Sequence, residues 1–263
     1  MNERNDLALQ DVSFSYDGAP VLEHVSFRIR HADFACIVGP NGGGKTTLLK
    51  LMLGLVEPDT GRVEVLGTPP EVARERIGYM PQHAIFDATF PVTVIDVVLM
   101  GRLRKTRPFG PYSREDKRVA RRVMDEVDIG NLADRPFSAL SGGQRQRALI
   151  ARAMACEPEM LFLDEPTASL DVAAEQEFYD LLRRLNERMT LLVVSHDLSF
   201  VSSHVRTVIC VGVEREVHVH PTHELNEEVM HTVYGRSVRM IRHERHDECE
   251  HGDGHRHPDG EVD

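Results

Sequence analysis

An α/β fold with a mostly parallel core sheet is what this sequence predicts, and three observations lead there. Phe34-Ala35-Cys36-Ile37-Val38, Met160-Leu161-Phe162-Leu163 and Thr190-Leu191-Leu192-Val193-Val194 are unbroken apolar runs, as in strands covered on both faces. Helical patterns separate them, as parallel pairing requires. The 263 residues, 41% hydrophobic and 28% charged, suit one large domain, or a domain with a sub-domain, around an ordinary core.

The elements follow in order. Leu7 to Tyr16 alternates loosely, Asp17-Gly18 is a turn signal, and Val21 to Ile29 places apolar residues at odd positions. The opening therefore predicts an N-terminal antiparallel β subdomain. Phe34–Val38 feeds a glycine-rich loop and then the helical pattern Thr47-Leu48-Leu49-Lys50-Leu51-Met52, which Glu57-Pro58-Asp59-Thr60-Gly61 is expected to end. From about 83 to 155 charged helical stretches dominate, and a helical subdomain inserted into the sheet is expected there. Ser113 and Asp116 match a capping box loosely, opening a helix that runs to Val127. The globular part is expected to span 6–235, and 236–263 to be a disordered tail rich in histidine and acid.

Composition narrows the function classes. No stretch approaches the ~18 to 20 apolar residues that cross a bilayer, and the polar start Met1-Asn2-Glu3-Arg4-Asn5-Asp6 lacks the apolar run of a secretory signal. A membrane role would need another chain for the span. Cys36, Cys156, Cys210 and Cys249 form no CxxC pair, and Cys36 and Cys210 lie in apolar runs, which predicts a reducing, cytosolic setting. Of the formal charge of −11, residues 243–263 account for −6 through eight acidic and two basic side chains. A chain so acidic, with no basic stripe, is not expected to bind nucleic acid.

Gly39-Pro40-Asn41-Gly42-Gly43-Gly44-Lys45-Thr46 fits G-x-x-x-x-G-K-[ST], after a buried strand and before a helix. Backbone N–H groups of such a loop wrap a phosphate, and glycines let the main chain come close. Lys45 is the candidate to neutralise β and γ phosphates of ATP, and the Thr46 hydroxyl to ligate Mg²⁺, with Thr47 alongside. Asp164-Glu165 ends an apolar strand, so Asp164 can hold Mg²⁺ through water while Glu165 polarises an attacking water as general base.

With Leu140-Ser141-Gly142-Gly143-Gln144 the chain resembles the ATP-binding-cassette (ABC) ATPases, a branch of the P-loop NTPases, over residues 7 to about 235. Further landmarks stand in the family's order: Tyr16, Gln82 in Tyr79-Met80-Pro81-Gln82, Ala168-Ser169-Leu170-Asp171 after Glu165-Pro166-Thr167, and Ser195-His196-Asp197. The resemblance implies that Tyr16 stacks on adenine and that Gln82 meets Mg²⁺ or the lytic water. It implies that His196 grips the γ-phosphate, and that Ser141, Gly142, Gly143 and Gln144 contact ATP held by the other subunit, with Asp171 at the seam. A head-to-tail homodimer is then the catalytic unit.

One cassette without a spanning segment looks like the separate ATPase subunit of a prokaryotic importer, peripheral on the cytoplasmic face of the inner membrane. Its implied partners are an integral-membrane permease and, indirectly, an extracytoplasmic metal-binding protein. Phe90 to Arg102 resembles the subgroup serving zinc and manganese uptake, where this region meets a coupling helix of the permease. A metal-chelate or siderophore importer and a non-transport ATPase of iron–sulfur assembly are the alternatives. Nine of the fourteen histidines fall at or after His218. His218, His220 and His223 are expected at the surface. His243, His246, Cys249, His251, His255 and His257, interleaved with acids, have the composition of a labile zinc-binding tract.

Overall fold

The computed structural model describes residues 4–82, 91–103, 111–168, 170–212 and 215–225. Strands β1 (Asn5–Tyr16) and β2 (Ala19–Arg30) form a hairpin whose turn residues, Asp17 and Gly18, both have positive φ (49° and 79°). That is the backbone a two-residue hairpin needs to match strand twist. The fully buried β3 (Phe34–Val38) leads into helix α1 (Lys45–Met52). This helix stops well before Glu57, where the sequence pattern places its end. Leu55 N–H reaches back to the Lys50 carbonyl (2.8 Å) around a left-handed Gly54, so the stop is a glycine cap. Strand β4 (Thr60–Val65) then returns to β1, giving a three-stranded antiparallel sheet in the order β2-β1-β4.

The short helix α2 (Pro70–Ala73) precedes β5 (Ile77–Met80). Three helices follow: α3 (Val94–Leu99), α4 (Arg114–Glu126) and α5 (Gly142–Met154). Each opens with a capping box, Thr93/Asp96, Ser113/Asp116 and Ser141/Gln144, in which each residue's side chain accepts from the other's otherwise orphaned N–H. The Asp at the third position of the α4 box serves as well as Glu: Ser113 N–H donates to it at 3.0 Å. Val94, Val97, Val123, Met124, Ile150 and Met154 bury one shared apolar core among these helices. Arg102 locks the group polar-side. Its guanidinium donates to Asp116 (3.0 Å), the Ala155 carbonyl (2.9 Å) and Glu157 (2.8 Å), with both Arg102 and Asp116 buried. Breaking such a buried pair from one side costs about 3–5 kcal/mol.

The remaining elements are β6 (Met160–Asp164), α6 (Val172–Asn186), β7 (Thr190–Val194), α7 (Leu198–His204), β8 (Thr207–Val211) and the edge strand β9 (Val217–Pro221). They complete a six-stranded sheet, β5-β6-β7-β3-β8-β9, parallel throughout except for β8/β9. Cores lie on both faces, which is why β3, β6 and β7 carry no polar alternation. The register matters for function. Asp164 pairs with Val194, and Val194 with Ile37, so the carboxyl ends of β6, β7 and β3 finish level at one edge. Cys36 and Cys210 are buried within this sheet, whereas Cys156 is only half-buried.

Candidate nucleotide site

Open parallel sheets bind ligands beyond their carboxyl ends, and the loop after β3 stands at that edge. A Cβ at Gly39 would come within 2.3 Å of the Val211 carbonyl oxygen, so only glycine lets the chain turn there. At Gly42 (φ 80°) a Cβ would meet nothing within 4 Å, which leaves the loop's outer side as open space bordered by main chain. The loop holds its shape from within. Lys45 Nζ donates to the carbonyls of Gly39 (2.8 Å) and Pro40 (2.9 Å), and Gly43 N–H donates to Pro40 (3.2 Å). Thr46 is exposed at the first turn of α1, while Lys45 and Thr47 are buried. Burial lowers the Lys45 ammonium from its ordinary range, and the negative charges of Glu165 and Asp164 oppose that shift. Both carboxylates are therefore within electrostatic reach of the phosphate loop.

Asp164 is buried at the tip of β6. Glu165 leaves the strand in a left-handed conformation (φ 48°), its N–H still bonded to the Val194 carbonyl at 2.9 Å. A non-glycine residue in that region is uncommon, and here it turns the side chain off the sheet's line. His196 arrives from β7: Ser195 N–H extends the ladder to the Ile37 carbonyl (3.1 Å), and the next residue projects past it. Glu165 Oε2 accepts from His196 Nδ1 at 2.8 Å, with the imidazole largely exposed and the carboxylate mostly buried.

Tyr16 closes β1 with its ring 41% exposed, edge-on to Phe14 at 4.8 Å and 5.9 Å from Lys50 Nζ of α1. Gln82 lies exposed just after β5, beside β6 in the sheet. Hard oxygen donors, the Thr46 hydroxyl and the Asp164 carboxylate with the Gln82 amide close by in the topology, are the set that Mg²⁺ takes.

The structure brings the phosphate loop, Asp164, Glu165 and His196 to one sheet edge. It leaves a second group apart. Among the described residues, neither Ser141 nor Asp171 shares a hydrogen bond with the loop. Ser141 caps α5 and Asp171 caps α6, accepting from Ala174 N–H at 2.9 Å, and both are exposed. Gly143 faces Ala174 and Leu170, so these two helix starts adjoin one another, each with main-chain N–H groups at its tip. Sequence reasoning missed Tyr179, whose hydroxyl meets Thr167 (3.4 Å) and Asp197 (3.3 Å) beside this site. Its one sequence signal was the i, i+4 pairing with Glu175.

His218 and His220 occupy edge strand β9 with rings 6.4 Å apart, and His218 Nε2 meets Glu216 at 3.0 Å. Among the described residues no three His, Cys, Asp or Glu side chains converge as a metal site. The tail residues His243, His246, Cys249, His251, His255 and His257 lie outside the described residues. No helix among the described residues is long and apolar enough to cross a membrane.

Comparison with known proteins shows the family and the fold. Residues 22–168 match the family model described as "ABC transporter". A metal transport system ATP-binding protein of Chlamydia trachomatis is 44% identical over 194 residues, 73% of this chain and 82% of that protein. The zinc transport system ATP-binding protein TroB of Treponema pallidum is 39% identical over 228 residues, 86% of each chain. Among solved structures, an inward-facing ABC transporter of metal-chelate type superposes with a TM-score of 0.78 at 32% identity, covering 88% of this chain and 89% of that one. A dimeric ATP-binding cassette in a post-hydrolysis state with ADP and Pi gives 0.70 at 26% identity, covering 82% and 98%.

Proposed function

Because the chain belongs to the ABC transporter family, we propose that it binds and hydrolyses ATP to energise uptake of a divalent metal ion, zinc or manganese, through a separate permease. The observation that carries the chemistry is the convergence of Lys45, Asp164, Glu165 and His196 at one sheet edge. Lys45 and the main-chain N–H groups of the loop bind the β and γ phosphates, and Tyr16 offers its exposed ring to the base. Glu165, held by His196, orients the attacking water and takes its proton. With Nδ1 donating to Glu165, Nε2 of His196 would donate to a phosphate oxygen in the imidazolium form, which carries N–H on both ring nitrogens. Thr46 and Asp164, with Gln82, would hold Mg²⁺, which would supply neutralisation of phosphate charge. Ser141, Gly142, Gly143 and Gln144, with Asp171 at the seam, act on ATP held by the second copy, so the working unit is a head-to-tail dimer. A dimeric cassette among the structural neighbours supports that stoichiometry.

Metal specificity rests on the relatives, named for metal and zinc transport at 44% and 39% identity. The likeness to a transporter of metal-chelate type supports a second reading, a chelated metal as cargo. Proteoliposomes containing the chain and its permease distinguish them: ATP-driven accumulation of free radioactive Zn²⁺ or Mn²⁺ is the expected result, and uptake of chelate alone would favour the second.

The permease is assigned to the groove between the core and the helices after β5. Leu55 (57% exposed), Met100 and Leu103 (60% exposed) line it with Tyr79, Arg152 and Cys156. Burial lowers the Arg152 guanidinium from its usual range. A desolvated cation among apolar side chains fits an amphipathic helix that brings an acidic group. Leu103→Glu is expected to weaken copurification with the permease about tenfold while leaving ATP binding by the free subunit unchanged. Retained copurification would move the docking surface elsewhere.

A further inference from the structure

Two turns into α6, Tyr179 is 5% exposed, and its hydroxyl sits among groups from three segments. Glu175, one turn earlier on the same helix face, accepts a hydrogen bond from it. Asp197 Oδ2, from the residue after His196, is 3.3 Å away. Thr167 Oγ1, two residues beyond Glu165, is 3.4 Å away. The His204 ring walls the remaining side at 5.1 Å between centroids. A phenol has one proton to give and can also accept. When it donates to a carboxylate, the Thr167 hydroxyl is left to donate to the phenolic oxygen. Two carboxylates face that single proton, and it serves one of them at a time. Burial, then the bond to Glu175, drive the hydroxyl's titration far above its ordinary range, so it stays a donor.

These contacts close a ring around the Glu165–His196 pair. Glu165 bonds His196 at 2.8 Å. His196 is followed by Asp197, whose N–H donates to Ser195 Oγ at 3.0 Å and whose carboxylate faces Tyr179. Tyr179 meets Thr167, and only Pro166 stands between Thr167 and Glu165. The helix that supplies Tyr179 begins at Asp171. One buried oxygen thus joins the strand end carrying the base, the loop carrying the histidine and the helix whose start faces the dimer seam.

We propose that Tyr179 is a positioning residue for hydrolysis: its hydroxyl ties the Thr167 turn to the His196 loop and so keeps Glu165 and His196 in register with one another. The proposal rests on the reading of Glu165 as base. Tyr179 touches no substrate and acts through the two side chains it frames.

The test uses the full chain assembled with its permease. Tyr179→Phe keeps the ring and removes the oxygen. Its kcat is expected to fall about tenfold, with KM for ATP within about twofold and the thermal midpoint within about 3 °C of the parent. Thr167→Val, which removes the partner hydroxyl at nearly constant shape, should give the same split. Adding Tyr179→Phe to His196→Ala should deepen the single-turnover defect of His196→Ala by less than about twofold, since both act on one pair. An unchanged kcat in Tyr179→Phe would overturn the proposal. So would losses that multiply in the double variant, or a kcat loss accompanied by equal loss of ATP affinity and a lowered thermal midpoint. Glu165→Gln run in parallel separates the layers. If it keeps turnover, the base assignment fails and this proposal with it; if it is inactive while Tyr179→Phe is normal, only the role of Tyr179 fails.

Discussion

Glu165→Gln is expected to lower kcat about a thousandfold while ATP still binds, because a general base contributes ~10²–10⁴ to such a step. The amide is nearly isosteric with the carboxylate, and its oxygen can still accept from His196 Nδ1, so the 2.8 Å contact and the left-handed turn that aims the side chain survive. What disappears is the proton acceptor. The substitution also removes a negative charge beside the phosphate loop, where Glu165 already acts on Lys45, so nucleotide affinity should hold or rise. With ATP bound and turnover blocked, the closed dimer accumulates, and size-exclusion chromatography with Mg-ATP should show it. Adding Ser141→Arg to the same chain should abolish that dimer while leaving nucleotide on the monomer. A dimer that persists in the double variant would remove the assignment of Ser141 to the opposing phosphate, and normal turnover in the single one would remove Glu165 as base.

Lys45→Ala should weaken ATP binding at least about a hundredfold, the effect of deleting a charge-assisted contact in a partly desolvated site. Lys45 has two tasks in the structure. Its ammonium is a buried cation on which the Asp164 and Glu165 charges act, and it staples the loop through Gly39 and Pro40. Alanine removes both and leaves the two carboxylates facing the incoming phosphates uncompensated. Equilibrium titration with a fluorescent ATP analogue should detect the loss, and the thermal stabilisation by Mg-ATP expected of the parent should be absent. Retained affinity would mean that the main-chain N–H groups suffice, and Lys45 would lose its role in binding.

Much of this architecture was legible in the sequence because its signals are local. The short apolar runs were strands because burial on both faces removes alternation, and Gly39 to Thr46 sat between a strand and a helix as its chemistry requires. The box that Ser141 makes with Gln144 at the start of α5, three residues apart, is a pattern of the same local kind. What the sequence could not show is pairing order. Asp164 and Ile37 stand level only because β7, far along the chain, lies between their strands. The end of α1 was misplaced because Glu57-Pro58 is the louder turn signal, while Gly54 is a single residue whose capping role depends on its left-handed φ. Tyr179 was invisible for a related reason. On a helix wheel it is one more core aromatic, and its hydroxyl acquires partners only when two distant loops fold against α6.

The cysteine distribution has a practical outcome for spectroscopy. Cys36 and Cys210 are sealed inside the sheet, and burial pushes the Cys210 thiol up to about 12, so neither offers a thiolate to an alkylating reagent near neutral pH. Cys156 instead borders the groove assigned to the permease, with its sulfur bonded to the Ala153 carbonyl at 3.2 Å. Once Cys249 is replaced by serine, a maleimide dye or spin label on Cys156 becomes a native reporter whose protection or mobility reads occupancy of that groove through a transport cycle.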